Sequence, residues 1–259
     1  MLNIRLRYES GSKYKINVNK KFDGTVALDD FSLEIPRDSI IGIIGPNGAG
    51  KTTLFNAITG FLPLDSGKII YNGKNLSRMP SYKIARTGIA RTFQQLRLIT
   101  RMTVQDNILL SFQNQAGEHL KNTFLFPGRV KNQEEKNQEK TNELLAFMGI
   151  EEKANDLVED LSYGQQKMIS LACCLASGAD LLLLDEPVAG INPEMIEKIL
   201  KIIKKLQGAG KTFVLIEHNI EAVMQVCDRV IFMDEGKKIA EGDPESVRHD
   251  PAVIDAYLE

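Results

Sequence analysis

The sequence lacks an apolar run long enough to cross a bilayer. A membrane-spanning helix needs about 20 consecutive apolar residues, whereas the most apolar region of these 259 residues, 169–184, is interrupted by Ser177, Gly178 and Asp180. The first ten residues, MLNIRLRYES, also lack the apolar segment and cleavage site of an export signal. From these absences we expect a chain that stays in the cytosol and does not itself span a membrane.

An excess of positive charge is missing as well. Lys and Arg number 32 against 34 Asp and Glu, which gives a formal net charge of -2. Proteins that bind nucleic acid non-specifically rely on a strong positive field, so we expect no nucleic-acid partner. Net charge alone leaves a local basic face open. With 43% hydrophobic and 25% charged residues, the composition is typical of a globular protein that can form a full core.

Cysteine is scarce, and its spacing disfavours a cysteine-based metal site. The three cysteines, Cys173, Cys174 and Cys227, do not form the paired spacing of metal ligands. The first two lie in a segment whose pattern is typical of a buried helix. We therefore predict that the cysteines pack in the core.

What the sequence does contain is a series of apolar runs that predict a parallel α/β architecture. Residues 26–35 alternate between apolar and polar, 40–44 form a nearly continuous β-branched run, and a helical pattern follows at 51–61. Further buried strands are predicted at 181–184, 212–216 and 230–233, and further helices at 193–206 and 219–226. Such alternation predicts a central parallel sheet that is covered on both faces.

The region between the two groups of strands has a different pattern. Residues 81–177 have mainly helical periodicity, with a polar stretch at 131–142 that resembles the solvated face of a helix more than a binding tail. We predict one domain, 1–259, in which a helical subdomain at 81–177 is inserted between two parts of an α/β core, 1–80 and 178–259.

Residues 45–52, GPNGAGKT, match the phosphate-loop pattern G-x-x-x-x-G-K-[ST] between a buried strand and a helix. Glycines let the chain curl around an anion, while backbone N–H groups and the helix dipole attract phosphate. Lys51 is expected to bridge the β- and γ-phosphates of ATP, and the Thr52 hydroxyl to bind Mg²⁺. A glycine-rich turn with a surface lysine is the alternative, which the position between strand and helix disfavours. The residues expected to contact the nucleotide here are Gly45, Asn47, Gly48, Gly50, Lys51, Thr52 and Thr53.

The apolar run 181–184 ends in two adjacent carboxylates, Asp185 and Glu186. Ligands of open α/β sheets bind beyond the carboxyl ends of the strands, so this pair is expected at the same edge as the phosphate loop. Asp185 is predicted to hold Mg²⁺, and Glu186 to orient or deprotonate the water that attacks the γ-phosphate. The alternative, two charges that face solvent, is disfavoured by the apolar run and by the phosphate loop upstream.

A third motif, Leu-Ser-Tyr-Gly-Gln-Gln at 161–166, is absent from kinases and GTPases of the phosphate-loop class. With it, the sequence resembles an ATP-binding-cassette (ABC) ATPase over nearly the whole chain. The family signature has the form Leu-Ser-Gly-Gly-Gln, and Tyr163 replaces its first glycine here. The resemblance implies a phosphate-loop NTPase fold with a mainly parallel sheet, an N-terminal antiparallel β part and the inserted helical subdomain. A kinase that phosphorylates a metabolite is disfavoured, because it would carry neither the signature nor the second carboxylate.

The resemblance also implies a dimer of two cassettes, identical or different. In that dimer Ser162, Gly164 and Gln165 of one copy close over ATP held by the other, because a serine and a glycine at a helix start form an anion site. An ordinary helix cap at Ser162 is compatible with this role. Many family members have an aspartate at the position of Asn192, so a role of this residue in coupling the two copies stays open.

Three further positions take roles from the family. Gln94 resembles the glutamine that contacts Mg²⁺, and it fits better than Gln95 because it directly follows a strand-like segment. His218 follows a buried strand and resembles the histidine that contacts the γ-phosphate. Phe22 resembles the aromatic residue on which adenine stacks, with Tyr14 as a competing candidate.

Within the family, the signature, residues 186–193 and the tail 240–257 resemble the ATP-binding subunits of branched-chain amino-acid importers. This resemblance implies a peripheral position at the cytoplasmic face of the cell (inner) membrane. Its partners would be transmembrane permease subunits, a second ABC ATPase subunit and, indirectly, a periplasmic or extracellular solute-binding protein. Urea or lipopolysaccharide as cargo, the direction of transport, and a soluble ABC ATPase of the iron-sulfur assembly type stay open.

The permease contact is expected near 94–113. An apolar set there could dock a transmembrane subunit, or it could simply fill the core of the helical subdomain. Its members are Leu96, Leu98, Ile99 and Met102.

Overall fold

The structure, a computed structural model, describes residues 14–258; the side chains of 257 and 258 are outside that description. The ten N-terminal residues, on which the expectation of no export signal rests, therefore lie outside the described part. Within it, no helix is both long enough and apolar enough to cross a membrane. The described chain forms two compact units, Gln95–Ala179 and a unit made of residues 14–94 and 180–258.

The unit made of residues 14–94 and 180–258 contains every strand among the described residues. They are β1 (Tyr14–Phe22), β2 (Thr25–Ile35), β3 (Ile40–Ile44), β4 (Ser66–Tyr71), β5 (Lys74–Asn75), β6 (Ile89–Arg91), β7 (Leu181–Asp185), β8 (Thr212–Ile216), β9 (Arg229–Asp234) and β10 (Lys237–Gly242). The α-helices of both units together are α1 (Lys51–Ile58), α2 (Ser81–Ala85), α3 (Val104–Leu110), α4 (Leu120–Leu125), α5 (Pro127–Met148), α6 (Tyr163–Ala176), α7 (Pro193–Gly208), α8 (Ile220–Val226), α9 (Pro244–Arg248) and α10 (Pro251–Leu258).

The larger sheet has six strands in the order β10-β9-β3-β8-β7-β6. All neighbouring pairs are parallel except β10 and β9, which are antiparallel. Every residue of β3, β7 and β8 is buried, as expected for parallel strands that are covered on both faces. The predicted parallel α/β core is confirmed, and the carboxyl ends of β3 and β7 bring the phosphate loop and the acidic pair to one edge.

A second, four-stranded sheet is antiparallel, in the order β2-β1-β4-β5. A two-residue turn joins β1 to β2, and both of its residues, Asp23 and Gly24, have positive φ angles of 42° and 96°. Asp-Gly is a favoured pair for such a hairpin turn, because both positions need a left-handed backbone. This sheet confirms the N-terminal antiparallel part of the expected fold.

Helix α1 is shorter than predicted. The pattern indicated a helix over 51–61, but the helix ends at Ile58. The Thr59 hydroxyl donates to the carbonyl of Phe55 at 2.6 Å, and Gly60 adopts a positive φ of 71°. A left-handed glycine terminates the helix, so Phe61 lies beyond it with its ring 51% exposed.

The other unit, Gln95–Ala179, is helical. Its helices α3, α5 and α6 pack against one another. Residues 81–94, which the sequence-based division grouped with the helical part, here form α2 and β6, and β6 pairs with β7. The division of the chain at 81 and 177 remains a prediction.

The cysteines pack as expected. Cys174 and Cys227 are buried and Cys173 is half-buried. Burial raises the pKa of the Cys173 thiol to about 11 and that of Cys227 to about 12. These thiols therefore stay protonated at neutral pH and behave as small apolar side chains.

Candidate nucleotide-binding site

The phosphate loop between β3 and α1 has a shape that only glycine permits at two positions. Gly45 and Gly50 have φ angles of 147° and 99°. A Cβ atom at Gly45 would lie 1.9 Å from the carbonyl oxygen of Met233, and one at Gly50 would lie 2.4 Å from that of Ala27. Gly48 also has a positive φ of 88°, but the space beside it is open. The curled loop predicted from the motif is therefore present, and neighbouring backbone fixes its shape.

Lys51 reaches back over this loop. Its Nζ atom donates to the carbonyl oxygens of Gly45 at 2.7 Å and Pro46 at 2.8 Å. Burial lowers the pKa of the ammonium group, and the nearby carboxylates of Glu186 and Asp185 act in the opposite direction. A buried cation at a glycine-rich loop that leads into a helix suits the negative charge of a phosphate group.

The first turn of α1 leaves its N–H groups available. The N-cap residue, Gly50, has no side chain to accept from them. Thr52 is exposed and Thr53 half-buried in this turn, and Asn47 is exposed at the tip of the loop. The donor set fits a triphosphate, and the Thr52 hydroxyl is a hard oxygen ligand of the kind Mg²⁺ prefers.

Asp185 is held by an arginine that the sequence analysis missed. Asp185 Oδ2 accepts from Arg91 Nη2 at 2.8 Å, and the two side chains are only 7% and 4% exposed. Arg91 Nη1 donates to Asn56 Oδ1 at 2.6 Å, and its guanidinium group lies 5.3 Å and 4.9 Å from the ring centres of Phe55 and Phe93. Asp185 Oδ1 has no hydrogen-bond partner among the described residues, which leaves one carboxylate oxygen suited to Mg²⁺.

Glu186, Gln94 and His218 are brought together at the end of β7. Gln94 Nε2 donates to Glu186 Oε2 at 3.1 Å, and His218 Nε2 lies 3.3 Å from Glu186 Oε1. Glu186 has a positive φ of 50°, and its N–H donates to the carbonyl of Ile216 at 2.9 Å. A left-handed backbone at a residue other than glycine costs about 1–3 kcal/mol and is concentrated at functional sites. The three polar residues therefore form one cluster at this strand end.

A second missed residue, Glu217, positions His218. Its carboxylate is 3% exposed. Glu217 Oε2 accepts from the N–H groups of His218 at 3.2 Å and Asn219 at 3.5 Å, while Oε1 accepts from the N–H of Val188 at 2.9 Å. One buried carboxylate thus ties the loop after β7 to the loop after β8.

The two aromatic candidates for adenine stacking differ in exposure. Phe22, at the end of β1, is 44% exposed, and Lys20 Nζ lies 5.3 Å from its ring centre. Tyr14 is 3% exposed and stacks on Tyr71 at a centroid distance of 4.5 Å. Only Phe22 of this pair offers a ring face, so the choice of Phe22 stays the stronger prediction.

The signature residues lie in the helical unit, at the start of α6. Ser162 is the N-cap, and its hydroxyl accepts from the N–H of Gln165 at 3.3 Å. Gln165 Oε1 accepts in return from the Ser162 N–H and hydroxyl, each at 3.0 Å, which completes a capping box. Gly164 is buried, and Lys167 Nζ lies 5.1 Å from the ring centre of the exposed Tyr163. The cap orders this helix start, and its nucleotide role remains a prediction.

Asn192 has a local role. It is the N-cap of α7, and its Oδ1 accepts from the N–H of Met195 at 2.8 Å. An aspartate would cap equally well, so the departure from the family pattern preserves the helix start. Of the apolar set predicted to meet the permease, Ile99 is 49% exposed, and Leu96, Leu98 and Met102 are half-buried.

Comparison with known proteins identifies the family. The ABC transporter family profile matches residues 28–189. LivG of Salmonella typhimurium, a high-affinity branched-chain amino acid transport ATP-binding protein, is 36% identical over 239 residues, which cover 92% of this chain and 94% of LivG. The chain belongs to the ABC transporter family. This ABC ATPase also matches a branched-chain amino acid ATP-binding cassette profile at residues 237–258.

Solved structures agree with the assignment of this ABC ATPase. A nucleotide-free ATP-binding cassette from an ABC transporter has a TM-score of 0.83 and is 31% identical to this chain. The match covers 95% of this chain and 98% of the solved chain. A cassette in its ADP conformation has a TM-score of 0.81 and 30% identity over the same fractions. The expected phosphate-loop NTPase fold is thereby confirmed for this nucleotide-binding ATPase.

Proposed function

We propose that this chain binds ATP and Mg²⁺ and hydrolyses ATP to drive the uptake of branched-chain amino acids. The observation that carries the proposal is the cluster of Gln94, Glu186 and His218 beyond β7. It stands at the same sheet edge as the phosphate loop, in a chain 36% identical to LivG. The match at residues 237–258 favours this cargo over urea, lipopolysaccharide or a role in iron-sulfur assembly.

In the proposed mechanism, the phosphate loop and Lys51 bind the triphosphate. Thr52, Asp185 and Gln94 would hold Mg²⁺, which neutralises phosphate charge when it is bound. Glu186 accepts a proton from water as the water oxygen bonds to the γ-phosphorus and the bond to ADP breaks. His218 lies beside Glu186 and contacts the γ-phosphate.

The family assignment supports a proposal for the assembly. We propose that the chain works at the cytoplasmic face of the membrane, bound to transmembrane permease subunits and paired with a second ABC ATPase, identical or different. In this pair Ser162, Gly164 and Gln165 of one subunit close over the ATP of the other. A solute-binding protein outside the membrane would deliver the amino acid to the permease and act on this chain only indirectly.

The variant Glu186→Gln tests the proposed base. Its amide cannot accept a proton from water, so we expect ATP binding to be retained and ATP turnover to fall by about 100-fold or more. Binding is measured with a fluorescent ATP analogue and turnover by phosphate release, in the chain purified with its permease. Glu143→Gln, an exposed position on α5, is the matched control and should hydrolyse ATP at the normal rate. Normal turnover in Glu186→Gln would contradict the assignment.

The same preparation tests the cargo. With its permease and solute-binding protein in proteoliposomes, the wild-type chain should hydrolyse ATP faster when leucine, isoleucine or valine is supplied. Stimulation by urea alone would refute the cargo while leaving the ATPase mechanism in place.

A further inference from the structure

Helix α4 and the residue that follows it expose a group of large apolar side chains. Leu120 is 76% exposed, Phe124 80%, Leu125 67% and Phe126 56%. None of the residues of α4 is buried. We call these four residues the α4 patch. A contiguous apolar group of this kind on a protein surface marks an interaction site.

Polar side chains hold the α4 patch outward. Asn122 Nδ2 donates to the carbonyl of Ala116 at 3.0 Å, and the Thr123 hydroxyl donates to that of Gly117 at 3.4 Å. The side chain of Gln133, on α5, accepts from the N–H of Ala116. An ordinary surface helix turns its apolar side toward the protein and its polar side to solvent. In α4 the polar side chains of Asn122 and Thr123 bond to the chain itself, while the apolar side chains are left largely exposed by the described residues.

The border of the α4 patch is positively charged. Lys121 and Arg129 are exposed and form no ion pair with any described residue. Lys131 Nζ, two residues further along α5, lies 4.0 Å from Glu135 Oε1. The sequence contains no aspartate or glutamate between 119 and 133. The partner of this surface should therefore be apolar inside and negatively charged at its boundary.

We propose that the α4 patch inserts into the headgroup region of an anionic lipid bilayer. Phenylalanine and leucine side chains flanked by lysine and arginine are the chemistry that binds such interfaces. At six residues, α4 would lie along the surface and not cross it. The inference goes beyond the proposed function, in which other subunits hold the chain at the membrane, because here the ATPase subunit contacts lipid itself.

Tryptophan fluorescence tests the proposal directly. The chain contains no tryptophan, so Phe124→Trp places a single reporter at an 80% exposed position where the larger ring causes no clash. With the full chain and vesicles of phosphatidylcholine and phosphatidylglycerol, we expect a blue shift of the emission maximum that high salt reduces. Ile239→Trp, on β10 and 45% exposed, is the matched control and should not shift.

Vesicle co-sedimentation of the tryptophan-free chain gives a second measurement. Phe124→Ser with Leu125→Ser should abolish binding, and each of Lys121→Gln and Arg129→Gln should weaken it by about fivefold.

Several results would overturn the proposal. They are an unshifted Phe124→Trp spectrum with anionic vesicles, an equal shift with neutral vesicles, and an equal shift of Ile239→Trp. A shift seen only with purified permease in detergent would assign the patch to a protein partner instead. The vesicle assay needs neither ATP nor permease, so its failure would leave the transport ATPase assignment intact.

Discussion

At the scale of single residues, the geometry of the acidic pair depends most on Arg91. Its guanidinium group joins α1 to the end of β7 by donating to Asn56 and Asp185 at once. Removing one partner of a buried ion pair costs about 3–5 kcal/mol, because the other charge is left without compensation. Arg91 is therefore a positioning residue for Asp185, the proposed Mg²⁺ ligand.

Arg91→Lys should impair the use of Mg²⁺. A lysine keeps the charge but cannot reproduce the planar fork that bonds a carboxylate and an amide together. We expect the Mg²⁺ concentration for half-maximal ATP hydrolysis to rise about tenfold, as is common when a residue behind a metal ligand is changed. Titrating Mg²⁺ in the ATPase assay measures this, and comparing ATP affinity with and without Mg²⁺ provides a readout independent of turnover.

Arg86→Lys is the control for Arg91→Lys, because Arg86 is exposed and should tolerate the change. If Arg91→Lys hydrolyses ATP with unchanged Mg²⁺ dependence, Arg91 has no part in orienting Asp185.

The sequence revealed only some of these residues. Asp185 and Glu186 were predictable because an apolar run ends in them beside a phosphate-loop motif elsewhere in the chain. Arg91 and Glu217 were not, since a single charged residue carries no spacing that links it to a partner, and Arg91 is 94 positions from Asp185.

At the scale of elements, the start of α6 combines a cap with a proposed phosphate contact. Ser162 and Gln165 satisfy each other in a capping box, so a loss of activity on replacing Ser162 could reflect either role. The two roles differ in whether they tolerate a negatively charged side chain. A carboxylate caps a helix as well as a hydroxyl does, but it repels a phosphate.

Two substitutions of Ser162 separate these roles. Ser162→Ala should lower the stability of the chain by about 1 kcal/mol. Ser162→Asp should keep the stability within about 0.5 kcal/mol and yet abolish ATP turnover, because in the proposed dimer its charge would face the γ-phosphate of the partner's ATP. Thermal unfolding and ATPase assays of both variants provide the comparison, with Asn192→Asp as a stability control at another N-cap. If the Ser162→Asp variant hydrolyses ATP, Ser162 acts only as a helix cap.

Elements differ in how readily the sequence predicts them. The bounds of β3 and β8 were predicted correctly and β7 to within one residue, because strands buried on both faces are continuous apolar runs. The lysine-rich strands β1 and β10 were not located. The exposure of the α4 patch was also not predictable. An apolar pattern in the sequence does not indicate whether the side chains pack inside the chain or face its surface.

At the scale of the whole molecule, the phosphate loop and the signature lie in different units of the chain. The proposed dimer uses both, one from each subunit. In the Glu186→Gln variant, ATP should remain bound and hold the dimer closed. Size-exclusion chromatography with light scattering should then detect a shift from the 28.9 kDa chain to twice that mass when ATP and Mg²⁺ are added.

The double variant Glu186→Gln with Lys51→Ala is the control for this shift and should stay monomeric, because it cannot hold the triphosphate. If Glu186→Gln alone stays monomeric, a different cassette is the expected partner, and the measurement is repeated with candidate cassettes. A monomer in every mixture would contradict the shared-site dimer.

The turn between β9 and β10 supports the phosphate loop from outside the motif. Gly236 donates its N–H to the carbonyl of Ala49 at 3.0 Å and accepts from the N–H of Asp29 at 3.0 Å. A Cβ atom there would approach the carbonyl oxygen of Ala27 to 2.8 Å. The loop therefore loses its conformational entropy during folding and not when nucleotide binds, which favours tight binding. It also follows that the eight-residue motif is not portable: copied into another strand–helix junction, it would lack the neighbours that give it its shape.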